Sequence, residues 1–370
     1  MNAAIHHIEY YLPTGTLTSE ALTVEFPDWS VAKIEEKVGI KTRHVAADSE
    51  CSSDLAVAAA RKVFDSGAAK PSDIDFLLLC TQSPDYFLPT TACLVQDRLG
   101  LSKQCGALDF NLGCSGYVYG LGLAKGLIET GQASNVLLVT AETYTKFIHK
   151  SDRGVRTIFG DAAAATLLGV GIDDTARLGP FVYGTDGSGA DNLIVRAGGM
   201  RLRQAPPESI LDASLHMDGP EIFAFTMSQI PGCVRTLLTR TGMAIGDYDL
   251  FVFHQANRHM LEHLRKGLRI PEDKFYIAME HCGNTVSATI PIALKHAQME
   301  GRLWVGARVM LVGFGVGYSW GAVSIIWSGS LDKAVEVSQS MQISTQSSGP
   351  VMGAAPTREQ VGIIDGGSLQ

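Results

Sequence analysis

An internal repeat constrains this sequence more than any other feature, because a duplicated chain must fold into two similar halves. The strand-like run DFLLLCT (75–81) recurs as DLFVFHQ (249–255), and NVLLVT (135–140) recurs as RVMLVG (308–313). Between them, GCSGYVYGLGLAKGLIETG corresponds to GNTVSATIPIALKHAQMEG. The matching landmarks are Asp75 and Asp249, Asn135 and Arg308, and Cys114 and Asn284, at offsets of 174, 173 and 170 residues.

The repeated runs are short and rich in Val, Leu and Phe, which predicts strands buried on both faces. Helical patterns alternate with them, for example residues 52–67, which begin at Ser and Asp and end at Gly. This alternation predicts an α/β fold. We expect two related βα halves, residues 1–175 and 176–330, arranged about a pseudo-twofold axis. Residues 331–370 contain Ser- and Gln-rich stretches and are predicted to be an appended tail.

Composition narrows the class of protein. Hydrophobic residues make up 46% of the chain and charged residues only 18%, which is typical of a compact enzyme. The net charge of −8 disfavours a general nucleic-acid or anionic-membrane role. No apolar run approaches the ~20 residues of a membrane helix, and the first residues lack a signal-peptide pattern. The seven scattered cysteines form no CxxC pair, which argues against zinc sites and disulfides and favours the cytoplasm.

Cys114 has the sequence context of a nucleophile. It lies between a short extended run and the start of a helix, where Gly113 and Gly116 permit a tight turn. A thiol at a helix N-terminus faces free N–H groups and the positive end of the dipole, so we expect the thiolate to be favoured. The alternative is that Cys114 is a small buried hydrophobic residue, as most cysteines are.

His254 and Asn284 are the next candidates. His254 ends the predicted strand DLFVF, and functional residues of open α/β sheets collect at the carboxyl ends of strands. Asn284 occupies the place in the second half that Cys114 occupies in the first. A pseudo-twofold axis would bring these two helix starts together, so we expect Cys114 and Asn284 to face one pocket. The alternatives are a hydrogen-bonded core or surface histidine and an asparagine that merely caps a turn.

The glycine-rich segment GFGVG (313–317) is the last candidate. A strand-like pattern follows it rather than a helix, which argues against a dinucleotide site. Such a turn beside the pocket would instead offer a backbone N–H as an oxyanion donor. The sequence contains no GxSxG, HExxH or Walker motif, and it predicts neither a metal site nor an organic cofactor.

From about residue 3 to 329, the sequence resembles β-ketoacyl-acyl carrier protein synthase III and its relatives. Its Cys, His-Gln-Ala-Asn and Gly-Asn-Thr motifs occur in the order of that family. The matching segments are TQSPDYFLPTTACLVQDRLGL, DFNLGCSGYVYGL, DRGVRTIFGDAAAATLL, HMDGPEIFAF, FHQANRHM, GNTVSATIPIAL and GFGVGYSWGA. The resemblance implies a homodimer of the thiolase fold, with duplicated βαβαβ halves in a layered αβαβα arrangement. It also implies the catalytic triad Cys114, His254 and Asn284.

The resemblance implies further site residues. Phe314 would flank the triad, the backbone N–H groups of Cys114 and Val316 would form the oxyanion hole, and Leu88 would reach the partner subunit's acyl pocket. Two positions depart from the housekeeping members of the family. Lys33 stands where a tryptophan often stacks on the adenine of coenzyme A, and Lys37 replaces an arginine, whereas Arg153 is kept. We therefore expect weaker recognition of coenzyme A or a donor bound to a carrier protein, as in a specialised paralogue of secondary metabolism.

The reaction that the resemblance implies is a decarboxylative Claisen condensation. Cys114 would take the acyl group from acyl-coenzyme A or an acyl carrier protein, and a malonyl thioester would then supply the enolate. A carrier protein is acidic, and the basic residues Arg258, Arg265 and Arg269 recur at helical spacing after His254, so we expect carrier docking there, unless they form only a solvated face. Two alternatives are an acyltransferase that moves the acyl group to an alcohol or amine, and a non-catalytic partner subunit.

Overall fold

The structure is a computed structural model that describes residues 2–171 and 177–329. The described residues belong to one compact unit. The predicted boundary between the halves, at 175/176, falls in the gap between the two described ranges, and the predicted tail, 331–370, also lies outside them. The division into domains therefore stays a prediction.

The described residues form fourteen strands and nine α-helices. The strands are β1 (Ala3–Tyr11), β2 (Gly15–Thr18), β3 (Thr42–Val45), β4 (Phe76–Cys80), β5 (Gly106–Phe110), β6 (Asn135–Glu142), β7 (Ala162–Val170), β8 (Arg177–Thr185), β9 (Leu193–Val195), β10 (Leu215–Met217), β11 (Leu250–Phe253), β12 (Phe275–Tyr276), β13 (Arg308–Gly315) and β14 (Ser319–Ile326). The helices are α1 (Ser19–Glu25), α2 (Val31–Val38), α3 (Ser52–Asp65), α4 (Thr91–Arg98), α5 (Gly116–Glu129), α6 (Arg153–Arg156), α7 (Gly219–Thr241), α8 (Arg258–Leu268) and α9 (Thr289–Met299).

Two five-stranded sheets repeat the same topology. The first has the order β1-β7-β6-β4-β5, and the second, read in the same direction, has the order β8-β14-β13-β11-β12. In each sheet the last three strands are parallel and the first two pair antiparallel. Strand order and direction thus agree position by position, which confirms the repeat read from the sequence.

Alternation of side chains along the strands builds the layers. On β4, Leu78 packs with α5 and α9 residues, whereas Leu77 and Leu79 pack with α3 and α4 residues. On β11, Val252 likewise faces α5 and α9, and Phe253 packs with α7 and α8 residues. Because successive side chains of a strand point to opposite faces, each sheet buries both faces. The helices α5 and α9 therefore form a central layer between the two sheets, and further helices cover the outer face of each sheet. This is the expected αβαβα arrangement.

This topology brings three segments to one end of the central helices. Cys114 lies in the turn between β5 and α5, Asn284 lies between β12 and α9, and His254 directly follows β11. The carboxyl ends of parallel strands in an α/β sheet lie at one edge, where ligands bind. The fold therefore places the three predicted residues at equivalent ends of the two halves. Within residues 2–171 and 177–329, no helix has both the length and the apolar character needed to cross a membrane.

Candidate active site

Cys114 sits in a tight turn at the start of α5. The turn is closed by a hydrogen bond from Gly116 N–H to Gly113 O at 2.8 Å. A Cβ atom at Gly116 would lie 2.3 Å from the Cys80 Sγ, so only glycine fits there. A Cβ atom at Gly315 would similarly lie 2.9 Å from the Cys114 Sγ, which shows how closely β13 approaches the thiol.

Electrostatics at Cys114 correct the expectation that the helix dipole makes it a thiolate. Burial, with a smaller contribution from the neighbouring Glu142, raises the pKa of the Cys114 thiol to about 12. Hydrogen bonds from the backbone N–H groups of Cys114 and Val316 act in the opposite direction and lower it. Desolvation outweighs these donors, so the thiol is protonated. Both N–H groups therefore point toward the thiol, where the resemblance implies an oxyanion hole.

His254 is buried at the end of β11, where its N–H donates to Val312 O at 2.8 Å. Burial lowers the pKa of His254 to about 3, so the imidazole is neutral near pH 7. Its Nδ1 lies 2.8 Å from the Thr289 Oγ1, and the Phe314 ring packs edge-on against it at a centroid distance of 5.6 Å. The ring is therefore held on two sides.

The amide of Asn284 has a fixed orientation. Its Oδ1 accepts a hydrogen bond from Val286 N–H at 2.9 Å, which requires the Nδ2 group to point the other way. The Asn284 Nδ2 lies 3.5 Å from both His254 Nε2 and Ala256 O. Asn284 and His254 therefore present adjacent nitrogen atoms, and Asn284 supplies N–H donors beside the imidazole.

One cavity of about 500 Å³ joins all three predicted catalytic residues. Its inner end is lined by the buried side chains of Cys114, His254, Asn284 and Phe314. Apolar residues follow along the walls, namely Ile158, Phe159, Leu193, Met217, Ile222 and Phe223. The outer end is lined by Trp29 and the exposed side chains of Lys33, Lys37 and His259. The cavity thus leads from a cationic surface through an apolar channel to a buried thiol.

The other predicted residues lie in varied places. Phe314 and Lys37 line the cavity, whereas Arg153 is half-exposed beside it and pairs with Asp28 at 3.7 Å. Leu88 is 87% exposed on the surface of this single chain.

The three arginines predicted to bind a carrier protein also differ. Arg258 is about half exposed, and Arg269 is exposed at the end of α8. Arg265 is mostly buried and engaged by Glu262 at 2.8 Å and Glu272 at 3.5 Å. Its charge is therefore already balanced within the chain. Arg258 also pairs with Glu280, at 3.9 Å. It and Arg269 are nevertheless more exposed than Arg265 and are the better placed to meet a partner.

Three residues near the site were missed by sequence reasoning. Trp29, just before α2, lies at the outer end of the cavity with the Lys33 ammonium 5.5 Å from its ring centroid. The spacing of four residues between Trp29 and Lys33 was the available signal. Thr289 contacts His254, but nothing in its sequence context marks that contact. Glu142 is the last residue of a strand whose sequence predicts burial on both faces. Its hydrogen-bond partners lie in segments that are distant in sequence, so nothing in the sequence indicated them.

Glu142 is fully buried beneath the site. Its carboxyl oxygens accept hydrogen bonds from Gln82 N–H at 3.1 and 3.2 Å, from Ser83 Oγ at 3.1 Å and from Ser287 Oγ at 2.9 Å. Burial nonetheless raises the pKa of Glu142 to about 8. Ser287 lies in the turn between Asn284 and Thr289, so Glu142 connects the first half of the chain to this turn of the second half.

Comparisons with known proteins agree with this geometry. Residues 108–187 match the family model of 3-oxoacyl-[acyl-carrier-protein (ACP)] synthase III, and residues 238–327 match the model of its C-terminal part. The β-ketoacyl-[acyl-carrier-protein] synthase III of Caldanaerobacter subterraneus subsp. tengcongensis is 37% identical over 86% of this chain and 96% of its own. The β-ketoacyl-[acyl-carrier-protein] synthase III 3 of Streptomyces coelicolor is 37% identical over 85% of this chain and 94% of its own. A crystal structure of a 3-oxoacyl-(acyl-carrier-protein) synthase III superposes with a TM-score of 0.86 at 49% identity, covering 88% of this chain and all of that one.

Glu142 should make stability depend on pH. Its folded-state pKa lies above the unfolded value, so between about pH 4.5 and 8 the folded state retains a proton that the unfolded state has lost. The free energy of unfolding should therefore fall as pH rises, by at most about 1.4 kcal/mol per pH unit. Urea unfolding between pH 5 and 8 should show a flatter profile for Glu142→Gln than for the wild type. Glu36→Gln, at an exposed helical site, is the matched control; equal slopes in all three proteins would contradict this account.

Proposed function

Because the chain belongs to the 3-oxoacyl-[acyl-carrier-protein] synthase III family, we propose that it condenses an acyl thioester with a malonyl thioester and releases carbon dioxide. The observation that carries the proposal is the convergence of Cys114, His254 and Asn284 at the closed end of one cavity. Each residue comes from a different segment of the repeat, so their meeting is not a consequence of nearness in sequence. The volume suits the acyl chain and pantetheine arm of a thioester.

In the first half-reaction, the sulfur of Cys114 attacks the thioester carbonyl and the donor departs as a free thiol. The tetrahedral intermediate carries a negative oxygen. The backbone N–H groups of Cys114 and Val316 already bond to the thiol region and would hold that oxygen. The acyl chain would then lie among Phe159, Leu193 and their apolar neighbours, where burial of each CH₂ contributes about 0.8 kcal/mol.

In the second half-reaction, a malonyl thioester replaces the donor. Loss of carbon dioxide converts it to an enolate whose charge lies on the thioester oxygen. Asn284 Nδ2 and His254 Nε2 lie 3.5 Å apart, and both would donate to that oxygen once Nε2 has taken up a proton. Each such donor in a water-poor site contributes about 3 kcal/mol to transition-state stabilisation. The enolate carbon then attacks the acyl group on Cys114, and a carbon–carbon bond forms.

Two other functions share part of this chemistry. An acyltransferase would use the same acyl-Cys114 intermediate but would pass the acyl group to an alcohol or amine without decarboxylation. The paired donors Asn284 and His254 favour the condensing reaction, because a simple acyl transfer develops no enolate charge at that position. A non-catalytic partner subunit has no use for a nucleophile buried at the end of an open cavity.

The cationic outer end of the cavity supports a donor that carries phosphate, which both coenzyme A and the arm of a carrier protein do. Lys33 and Lys37 supply charge, and Trp29 supplies an aromatic face within reach of Lys33. Although position 33 is a lysine rather than a tryptophan, Trp29 therefore provides an aromatic ring at the outer end of the cavity. We propose that Trp29 contacts the nucleotide of coenzyme A by stacking. A carrier protein would dock on the surrounding basic surface, with Arg258 and Arg269 contributing.

We also propose a homodimer. Tyr86, Phe87 and Leu88 are adjacent large apolar residues with exposures of 61%, 74% and 87%. A contiguous exposed apolar patch of this kind is typical of a protein–protein interface. A second copy of the chain would cover it and place Leu88 in a new environment. The seven cysteines are unpaired, which supports residence in a reducing compartment such as the cytoplasm.

Acylation of Cys114 is the direct test of the covalent step. The purified protein is incubated with a series of acyl-coenzyme A and acyl-carrier thioesters, without a malonyl substrate, and the intact protein is weighed. We expect a mass gain equal to the acyl group, mapped by peptide analysis to Cys114 and lost in Cys114→Ser. Cys282→Ser is the matched control, because Cys282 is also buried but lies outside the cavity lining. No adduct from any donor would contradict the proposal.

Trp29→Ala should distinguish the two kinds of donor. Removal of a stacked ring loses about 1–3 kcal/mol, so KM for acyl-coenzyme A should rise about 5- to 100-fold. KM for the same acyl group on a carrier protein, which presents no adenine, should change little. Trp304→Ala, at a half-exposed tryptophan outside the cavity lining, is the control. Equal effects on both donors would contradict a nucleotide contact at Trp29.

A further inference from the structure

Thr289 lies between the catalytic histidine and a backbone carbonyl. It is the first residue of α9, and its side chain is buried. Its Oγ1 is 2.8 Å from His254 Nδ1 and 3.0 Å from Val286 O. A hydroxyl group has one proton, and a carbonyl oxygen can only accept. When Thr289 donates to Val286 O, it can only accept from His254, and the imidazole proton must then be on Nδ1.

The carbonyl of Val286 is aimed at Thr289 by an unusual backbone conformation. Val286 is a fully buried β-branched residue with φ of 56°, in the left-handed region that such residues rarely adopt. In this conformation its N–H bonds to Asn284 Oδ1 and its C=O accepts from Thr289. Strained residues of this kind persist where the surrounding structure holds them. Val286 therefore orients Asn284 directly and His254 through Thr289.

We propose that Thr289 is a positioning residue that keeps the resting His254 protonated on Nδ1, so that Nε2 carries the lone pair that takes the thiol proton of Cys114. This inference rests on the proposed condensing function and assigns the residue that sets the tautomer of His254 for its first half-reaction. A base is needed there because burial raises the pKa of Cys114 to about 12. At pH 7 only about one thiol in 10⁵ would ionise unaided.

The protons balance through both half-reactions. In the first, the Cys114 S–H proton moves to His254 Nε2, the sulfur–acyl bond forms, and the carbon–sulfur bond of the donor breaks. The departing sulfur takes the proton from Nε2 and leaves as a thiol. His254 then returns to its neutral form with the proton on Nδ1.

In the second half-reaction, the malonyl carboxylate brings a negative charge into the cavity, which favours uptake of one solvent proton at Nε2. The Nε2–H group donates to the enolate oxygen after carbon dioxide leaves. When the new carbon–carbon bond has formed and the acyl–sulfur bond breaks, Cys114 takes that proton and becomes a thiol again. One solvent proton is consumed in each complete cycle.

Thr289→Val keeps the shape of the side chain and removes the hydroxyl. The imidazole proton should then move to Nε2, because Nδ1 would face a methyl group. Single-turnover acylation of Cys114, followed by intact mass at pH 7, should slow about 100-fold, which is typical of a lost general base. Malonyl decarboxylation without an acyl donor should stay near the wild-type rate, because Nε2–H still donates. Thr289→Ser, which restores the hydroxyl, should behave like the wild type.

The pH profile separates this role from simple loss of packing. Between pH 6 and 9, acylation of Thr289→Val should rise about tenfold per pH unit, because only the spontaneously formed thiolate reacts. The ratio of the Thr289→Val rate to the Thr289→Ser rate should therefore rise with pH. The titratable groups that act on Cys114 are Glu142, Tyr144 and Cys80, and those at the outer end of the cavity are Lys33, Lys37 and His259. All six are the same in both variants, so their titration cancels in this ratio.

Nitrogen-15 spectra of labelled histidine give a measurement that needs no change at Thr289. The His254 signals, assigned by their loss in His254→Gln, should show a protonated Nδ1 and an unprotonated Nε2 in the wild type. A protonated Nε2, wild-type acylation by Thr289→Val, or an equal pH-independent loss of both half-reactions would overturn the inference. If neither the wild type nor Thr289→Ser forms an acyl adduct, the proposed function itself fails, and the inference fails with it.

Discussion

Burial of the side chains at the inner end of the cavity is the constraint on which the active site depends. Burial raises the pKa of Cys114 and of Glu142 and lowers that of His254, so all three groups are neutral at rest. A neutral site needs no counterions in its interior. It also leaves the N–H donors around Cys114 free to stabilise charge that appears only during the reaction. This neutrality is the reason for the proposed proton transfer from Cys114 to His254, which takes the place of a standing thiolate.

The duplication supplies the framework that holds this site. Equivalent turns of the two halves meet at one end of α5 and α9, and hydrogen bonds cross between the halves there. Asn284 N–H donates to Ile158 O at 2.9 Å, Gly160 N–H donates to Asn284 O at 3.0 Å, and Ser287 donates to Glu142. The halves have diverged in what they carry, since one presents the nucleophile and the other presents the donors. Their shared topology fixes the distance between them.

Much of this could be predicted from the sequence. The repeat of strands such as 75–81 and 249–255 gave the two sheets, because hydrophobic periodicity survives divergence. The offset of the repeat also predicted that Asn284 occupies the place in the second half that Cys114 occupies in the first. The protonation state of Cys114 was predicted wrongly, because the sequence reveals a helix start but not the depth of burial that outweighs it. The contacts of Thr289 and Glu142 could not be predicted, because each depends on side chains distant in sequence.

The products formed from an acyl-coenzyme A and a malonyl carrier protein test the central claim most directly. The reaction is run with carboxyl-labelled malonyl substrate, and both the released carbon dioxide and the mass of the carrier-bound product are measured. The account predicts one carbon dioxide for each 3-oxoacyl chain, which is two carbons longer than the acyl group supplied. An acyl group transferred intact from Cys114 to an acceptor, with the malonyl carboxylate retained, would contradict it.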